Sequence, residues 1–426
     1  MKGRKALTVE WDESAAETRS SEQLMTEYKQ LARDGKAAAA RVDGDPVGGF
    51  MAAAKVAEVE FEFPYLAHAG LEPLDAVAWK NGDVLEVWGG HQIPDLYQAL
   101  SAQIAELPPE NVKLHVMMTG GGFGRRAVGD GDVIVEAVST AKAIGWKAPV
   151  KVVWSREDDM TGGRYRPMYL HVLRAGLDAQ GKLTAWHHRI VGQSILKGTP
   201  FEGLLIKAGV DMTSVEGASS IPYAIPELQV DLVTTEVGVP VLWWRSVGST
   251  HTAYSTEVFI DELAHTAGKD PIEYRLSMLG DSHPRHRAVL ELVRDKSGWS
   301  SPLPAGTARG VAVAESFHSC VAQVAEVRIV DGAIKVDRVV CAVDCGIPVN
   351  PDVIAAQMEG GIGFGLGAIL KGAITLDAGN VVQTNFDGYE VLRLDEMPAV
   401  EVHIVPSTEP PTGVGEPGVP PIGPAV

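Results

Sequence analysis

The chain has 426 residues, 45% of them hydrophobic and 22% charged, a globular composition with enough length for two or more hydrophobic cores. Its 37 lysines and arginines against 55 acidic residues give a formal net charge of −18. That charge argues against nucleic acid or an anionic membrane as partner, and leaves room only for a local basic pocket, for which Arg125, Arg126, Arg164 and Arg166 are the candidates.

No stretch reads as a transmembrane segment, and the basic start Met1-Lys2-Gly3-Arg4-Lys5 is followed by no apolar core of a signal peptide. The chain opens on polar residues and stops at Gly423-Pro424-Ala425-Val426, where a helix is expected to begin; it reads as a piece of a larger protein. Residues 1–50 form a polar segment, the remnant of a preceding domain. Within it Ser20 to Ala32 suits a helix, and a Gly/Asp/Pro linker follows through Gly49. Val56 to Phe63 alternates apolar with acidic residues and predicts a half-exposed strand. Strands follow at Ala76 to Trp79 and Val84 to Trp88, and Val112 to Met118 reads as a buried strand entering a glycine cluster.

Asp132 is the expected N-cap of a helix whose apolar face is Ile134, Ala137, Val138 and Ala141 and which Gly145 ends. Val150 to Trp154 reads as a buried strand, and Tyr169 to Leu177 and Leu183 to Val191 as a hairpin around Asp178-Ala179-Gln180-Gly181. Ser255 to Ala267 is a helix. A second starts at Asp270-Pro271-Ile272-Glu273 with N-cap, first-turn proline and capping-box acid. Residues 278–308 read as an irregular linker between a first domain, 51–277, and part of a second, 309–426. There Gly310 to Val330 and Ala333 to Val343 pair across Asp331-Gly332. Asn350-Pro351 opens a helix that runs into the glycines between Gly360 and Gly367, and strands near Val381 to Gln383 and Val400 to Val405 precede a terminal loop. With no repeat and no regular βαβ alternation, the fold class is α+β, mixed sheets with packed helices.

Two glycine-framed segments carry the chemistry. Gly120-Gly121-Gly122-Phe123-Gly124-Arg125-Arg126 has neither the dinucleotide G-x-G-x-x-G spacing nor a Walker lysine, which weakens a nicotinamide-dehydrogenase reading; it is a loop whose backbone can approach a ligand closely, with Phe123 as a wall, or a tight structural turn. Gly413-Val414-Gly415-Glu416-Pro417-Gly418 holds one carboxylate in a rigid frame, as for a positioned base, against the plainer reading of a solvated loop acid. Each glycine of the Gly360 to Gly367 run costs up to about 1 kcal/mol of helix stability, so close backbone packing is its ordinary explanation, with Gln357 just before it as a ligand contact or a surface amide. Glu72, before Pro73, faces a pocket or makes a structural ion pair. His68, His91, His187, His188 and His318 show no metal-ligand spacing, and no Ser/His/Asp set stands out. Cys320, Cys341 and Cys345 are too few for a disulfide framework, and the last two lack partners for a zinc or iron–sulfur site, so free buried thiols are expected.

In their order along the chain these segments resemble the molybdopterin-binding large subunit of the xanthine dehydrogenase/aldehyde oxidase molybdenum hydroxylases, in particular the isoquinoline 1-oxidoreductase β-subunit branch and related bacterial aldehyde dehydrogenases. The resemblance runs from about Val56 to Val426. It rests on Pro64 to Pro73, the Gly-Gly-x-Phe-Gly loop at 120–126 with Arg126 where many members have Lys, Trp154 to Met160, Ile260 to Ala264, Asn350 to Gly361 and the Glu416 loop.

The resemblance implies molybdopterin cytosine dinucleotide carrying an oxo/sulfido molybdenum held by the pterin dithiolene, which explains the absence of a protein metal ligand. Gln92 is implied to bond the apical oxo group, and Gly121, Gly122, Phe123, Gly124, Arg245, Gln357 and Gly415 to hold the cofactor. Glu416 is implied as the general base for water-derived hydroxylation with hydride passing to the sulfido group, and Glu72 as a substrate contact. The implied partners are a separate small subunit bearing [2Fe-2S] clusters and an aldehyde or N-heteroaromatic substrate. The family's large subunits are considerably longer, so the alternative is a non-catalytic, cofactor-free scaffold of the same fold. The compartment, cytoplasmic or periplasmic, stays open, any export signal lying outside this chain.

Overall fold

The structure, a computed structural model, describes residues 6–426; the basic run Met1 to Lys5 lies outside the described residues. A five-stranded mixed sheet, two four-stranded sheets and two short two-stranded ribbons carry the architecture, and the α+β class holds.

The five-stranded sheet grows from the hairpin Tyr169–Leu177/Leu183–Gln193. Lys55–Phe63 pairs antiparallel on one side, Glu227–Thr235 runs parallel on the other, and Ala38–Asp43 closes that edge. Residues 37–49, expected as a linker, therefore hold an edge strand and a short helix, Pro46–Ala52, capped by Asp45 accepting from the Gly48 N–H. Glycine and proline there mark turns within a folded segment.

One four-stranded sheet lies in the order Val112–Val116, Val84–Gly89, Asp75–Asn81, Val150–Val153. Its outer strands are half-exposed where continuous burial was expected, because the helices Pro94–Ala105 and Asp132–Ala143 cover one face only. Gly131, with φ +72°, caps the second helix. Asp132 is its first residue, and its carboxylate takes the Arg125 guanidinium at 2.6 Å.

The other four-stranded sheet orders Thr307–Ser316, Ser319–Val330, Ala333–Asp344 and Ala399–Ile404. The stretch read as one strand from Gly310 to Val330 breaks at Phe317-His318, both left-handed (φ +52° and +61°), into a hairpin. Asp331-Gly332 turns as expected (φ +51° and +82°). Of the strand expected near Val381 to Gln383 only Asn380–Val381 forms. The supposed irregular linker 278–308 contains a 14-residue helix, Pro284–Ser297, with Pro at its start and Val289, Leu290 and Val293 buried.

One core joins the five-stranded sheet to the 307–344 strands. Trp186, Phe259 and Leu263 pack in the same cluster as Val311, Val313, Cys320 and Val324, with the helix Ser249–Thr266 between the layers. The helix Pro351–Leu370, capped by Asn350 accepting from the Val353 N–H, is long and apolar enough by composition to cross a membrane. Here its Ile354, Met358, Ile362 and Leu366 pack inside the protein against the strands Ser319–Val330 and Ala333–Asp344 and the terminal Ile422.

Candidate functional site

The glycine loop leaves the strand Val112–Val116 and is pinned from behind. The Glu72 carboxylate accepts from the Gly120 N–H at 2.7 Å and from Arg126 Nη2 at 3.2 Å, and Arg126 Nε donates to the Gly121 carbonyl at 3.1 Å. Gly121 and Gly124 need their glycines, at φ +105° and +106°, and Phe123 between them is also left-handed at +54°. Gln92 meets this loop twice: its N–H donates to the Arg126 carbonyl and its Oε1 accepts from the Arg126 N–H, both at 3.1 Å. A backbone N–H can only donate, so the bonded atom is the oxygen, and the amide NH2 is the donor Gln92 has left for the cavity it lines.

On the opposite wall, Trp243 to Gly248 runs into the helix Ser249–Thr266 through two left-handed residues, Ser246 (φ +78°) and Val247 (+47°). Ser246 holds Glu416 at both ends: its N–H donates to the carboxylate and its hydroxyl to the Glu416 carbonyl, each at 2.6 Å. Arg245 donates to the Gly415 carbonyl through Nε at 2.7 Å and to Gln357 Oε1 through Nη2 at 3.1 Å, so one guanidinium ties the Glu416 loop to the helix Pro351–Leu370. Burial raises the pKa of Glu416 against the opposing pull of the Ser246 N–H and Arg245, while burial lowers that of Arg245. A second carboxylate, Glu216, accepts from the Gly248 N–H at 3.2 Å. Burial first, and then the charge of Glu416, push it up to about 7.

The glycine-rich helix presents two different faces. Gly361 and Gly365 lie against the Glu416 loop: a Cβ on Gly361 would stand 3.0 Å from the Gly418 backbone, and one on Gly365 2.5 Å from Ile422. Gly360, Gly363 and Gly367 line a cavity; Gly360 has open space beside it, whereas a Cβ on Gly363 would stand 3.1 Å from Met397 Sδ and one on Gly367 3.4 Å from the Leu392 nitrogen. Phe364, between these faces, is sandwiched between Phe123 and Trp244, with ring centroids 4.3 and 4.4 Å apart.

These walls enclose two adjoining cavities that share Phe123, Trp244, Arg245, Ala356 and Gly360. One, of about 660 Å³, is lined by Gln92, Gly122, Phe123, Gly124, Arg245, Gln357, Gly415 and Glu416. The other, of about 750 Å³, is largely apolar and takes in Gly121, His68 and Leu392. His68 donates to the Trp243 carbonyl at 2.8 Å and is held neutral by burial, its pKa lowered to about 3.

Eight of the residues singled out from the sequence thus meet in one cavity, and Gly121 borders its neighbour. Glu72 lines neither; its carboxylate braces the glycine loop. The arginines expected to build a basic pocket are committed elsewhere, Arg125 to Asp132, Arg126 to Glu72, Arg164 to Asp130 and Arg166 to the Pro64 carbonyl; Arg245 lines both cavities and Arg393 the larger one. Sequence reasoning missed Ser246, Trp244, Phe364 and Phe317. The last comes from the unexpected hairpin onto the cavity wall. Trp243-Trp244 beside Arg245 was the one visible signal.

Comparison with known proteins places the chain in a family. A molybdopterin cofactor-binding domain matches residues 30–279, and a second such domain matches residues 285–398. The chain is 31% identical to isoquinoline 1-oxidoreductase subunit beta of Brevundimonas diminuta, over 87% of this chain and 48% of the relative. It is 30% identical to a membrane-bound aldehyde dehydrogenase (pyrroloquinoline-quinone) of Gluconacetobacter polyoxogenes, over 99% of this chain and 57% of the relative. The chain thus spans about half the length of these curated relatives. Its fold superposes on quinoline 2-oxidoreductase from Pseudomonas putida 86 with a TM-score of 0.78 at 14% identity, covering 93% of this chain and 77% of that one.

Proposed function

The chain belongs to the molybdopterin-binding large subunits of the molybdenum hydroxylases, and from that premise we propose that it forms the catalytic centre of an oxidoreductase acting on an aldehyde or an N-heteroaromatic compound, with Glu416 as general base. The single observation that carries the reading is the convergence of Gln92, the Gly122-Phe123-Gly124 backbone, Arg245, Gln357 and Glu416 around one cavity.

The residues fit the cofactor. Gly360 and Gly415, where an added Cβ would meet nothing nearer than 3.9 Å, leave room along one wall, and Gly122 and Gly124 let the glycine loop close onto Gln92 and the Trp243 carbonyl on the other. The amides of Gln92 and Gln357 each have their oxygen engaged by a donor and keep their NH2 for a ligand's acceptors. Arg245 supplies the positive charge an anionic pterin wants. The cavity lining contains no set of protein metal ligands, as suits a metal held by the cofactor's own sulfurs. When bound, the molybdopterin would supply two-electron oxidation chemistry with water as the source of oxygen. We assign it as the cytosine dinucleotide form, with electrons leaving through an iron–sulfur partner subunit.

The protein's own part is proton handling and orientation. Glu416 Oε2 is occupied by the Ser246 N–H, which leaves the other oxygen as the basic atom toward the cavity. Burial makes it a stronger base than a solvated carboxylate, and the Ser246 and Arg245 contacts stop it from being neutralised outright. Phe123, Phe364 and Trp244 form an apolar wall against which a flat ring can lie. Glu72 acts through the loop it pins.

The test is molybdenum and pterin analysis of the chain, alone and co-expressed with an iron–sulfur subunit, followed by Glu416→Gln. Stoichiometric molybdenum, with turnover lowered about 10²- to 10⁴-fold by the substitution and occupancy unchanged, is the expected result. No molybdenum in either preparation would leave the chain a scaffold of the same fold.

A further inference from the structure

We propose that the chain carries a second, structural metal site, in which His286, Glu315 and Cys320 bind one divalent cation of the zinc class and clasp the base of the hairpin that brings Phe317 to the cavity wall.

Glu315 and Cys320 are directly opposed partners in the antiparallel pair Thr307–Ser316/Ser319–Val330, one pair in from the strand ends. His286 reaches them from the first turn of the helix Pro284–Ser297. Cys320 Sγ stands 3.6 Å from His286 Nδ1 and 4.0 Å from Glu315 Oε2, and His286 Nε2 stands 3.7 Å from the same carboxylate oxygen. One ligand atom from each side chain lies within 4.8 Å of the others. Tetrahedral zinc, with bonds of about 2.3 Å to sulfur and about 2.0 Å to nitrogen, separates its sulfur and nitrogen ligands by roughly 3.5 Å, so Cys320 Sγ and His286 Nδ1 already have the required spacing; Nδ1 is then the ligating nitrogen, and the half-exposed Glu315 carboxylate turns from Nε2 toward the ion.

The donor set is a thiol, an imidazole and a carboxylate, which suits zinc and its neighbours and not magnesium or calcium. Zinc takes a cysteine as thiolate and a histidine as neutral imidazole. Binding therefore forms a metal–sulfur bond, releases the thiol proton to solvent and involves no redox change. Thiolate and carboxylate together balance the dication. Arg285, the nearest competing cation, has its charge taken by Asp344 at 3.0 Å and donates to the His318 carbonyl at 2.8 Å.

A second observation lies beside the cluster. A small cavity of about 40 Å³ is bordered by two of the three ligands, His286 and Glu315, and by Ser249 and Thr256, whose hydroxyls are buried and have no hydrogen-bond partner. A water there would have polar partners on the side of the cluster away from Cys320. The clasp also has a task. Phe317 and His318 make the turn in left-handed conformations that neither residue favours, and a bond across the adjoining strand pair holds that turn closed.

The proposal stands apart from the cofactor reading, and none of its readouts involves molybdenum. The whole chain, stripped with a chelator, is titrated with Co²⁺ as an optical probe. One equivalent bound, with a sulfur-to-cobalt charge-transfer band that Zn²⁺ displaces and a Tm that rises with Zn²⁺, is the expected result. Cys320→Ser abolishes the band and Cys341→Ser, at a buried thiol outside the cluster, leaves it intact. Glu315→Gln, at an exposed position that does not endanger folding, weakens binding about 10-fold or more. A plain thiol–imidazole contact without metal affinity, seen as no band at one equivalent, or a band that survives Cys320→Ser, overturns the proposal.

Discussion

Two carboxylates share one backbone turn: the Ser246 N–H serves Glu416 and the Gly248 N–H serves Glu216. Their titrations are therefore consequences of the same few residues. Glu216 is raised from 4.5 to about 7, chiefly by burial, so the folded chain keeps a proton that the unfolded chain releases. The stability this contributes is fully present below about pH 4.5 and lost as pH rises through about 7. Glu216→Gln, which cannot ionise and keeps an acceptor for Gly248, is expected to match the wild type in acid and to exceed it above neutrality by about 3 kcal/mol. Chemical denaturation across pH checks this, and parallel curves for the two proteins would show Glu216 already ionised. For Glu416 the working form is the carboxylate. In the loaded enzyme kcat/KM is expected to fall as pH drops through its raised pKa, with a limb above the ordinary carboxylate range. An acid limb at the ordinary value would assign the base elsewhere.

The helix Pro351–Leu370 shows what an element adds to its residues. Its glycines were legible as a demand for close approach, but a glycine pattern does not say which face approaches what. Gly361 and Gly365 admit the Glu416 loop, whereas Gly360 faces open space, with only Arg245 Nη1 near, at 4.0 Å from an added Cβ. Gly360→Ala is expected to raise helix stability by about 0.5–1 kcal/mol while lowering molybdenum occupancy. Gly361→Ala, whose methyl meets the Gly418 backbone at 3.0 Å, is expected to lower Tm and displace the Glu416 loop. Thermal melts with metal analysis separate the two, and equal melting shifts would mean that both faces are free. The same helix shows why much of the site could be read in advance and the rest could not. Asn350-Pro351 and the Glu416 frame are local rules written in adjacent residues. The Phe317-His318 turn has no turn chemistry of its own and is imposed by its neighbours, so it was read as continuous strand. Pro284–Ser297 sets its apolar residues Ala288, Val289, Leu290, Leu292 and Val293 among charges, and the edge strand Ala38–Asp43 lies among turn formers, so both were read as linkers.

At the scale of the molecule, the regions matched by the two family domains are joined by a buried polar node. Glu257, on the helix Ser249–Thr266, accepts from Arg275 Nε at 2.8 Å, from the Tyr223 hydroxyl at 2.7 Å and from the Val313 N–H at 3.0 Å. Arg275 is fully buried and also pairs with Asp261. The Val313 bond crosses from the first matched region to the second, inside the core cluster they share. Removing one member of such a group leaves an uncompensated charge, so Glu257→Ala is expected to cost about 3–5 kcal/mol, far more than an exposed pair would. Because the node and the core both straddle the two regions, the described chain should unfold as one cooperative unit although its length would allow two. The residues supply the probes. All three cysteines lie beyond residue 300, and eight of the nine tryptophans precede residue 280. In urea with chelator present, thiol exposure and tryptophan fluorescence should change at the same midpoint, and Glu257→Ala should move both together. Separate midpoints, with the tryptophan transition alone shifted by the substitution, would mean that each region holds its own stability and that the cavity between Arg245 and Glu416 is an interface able to open.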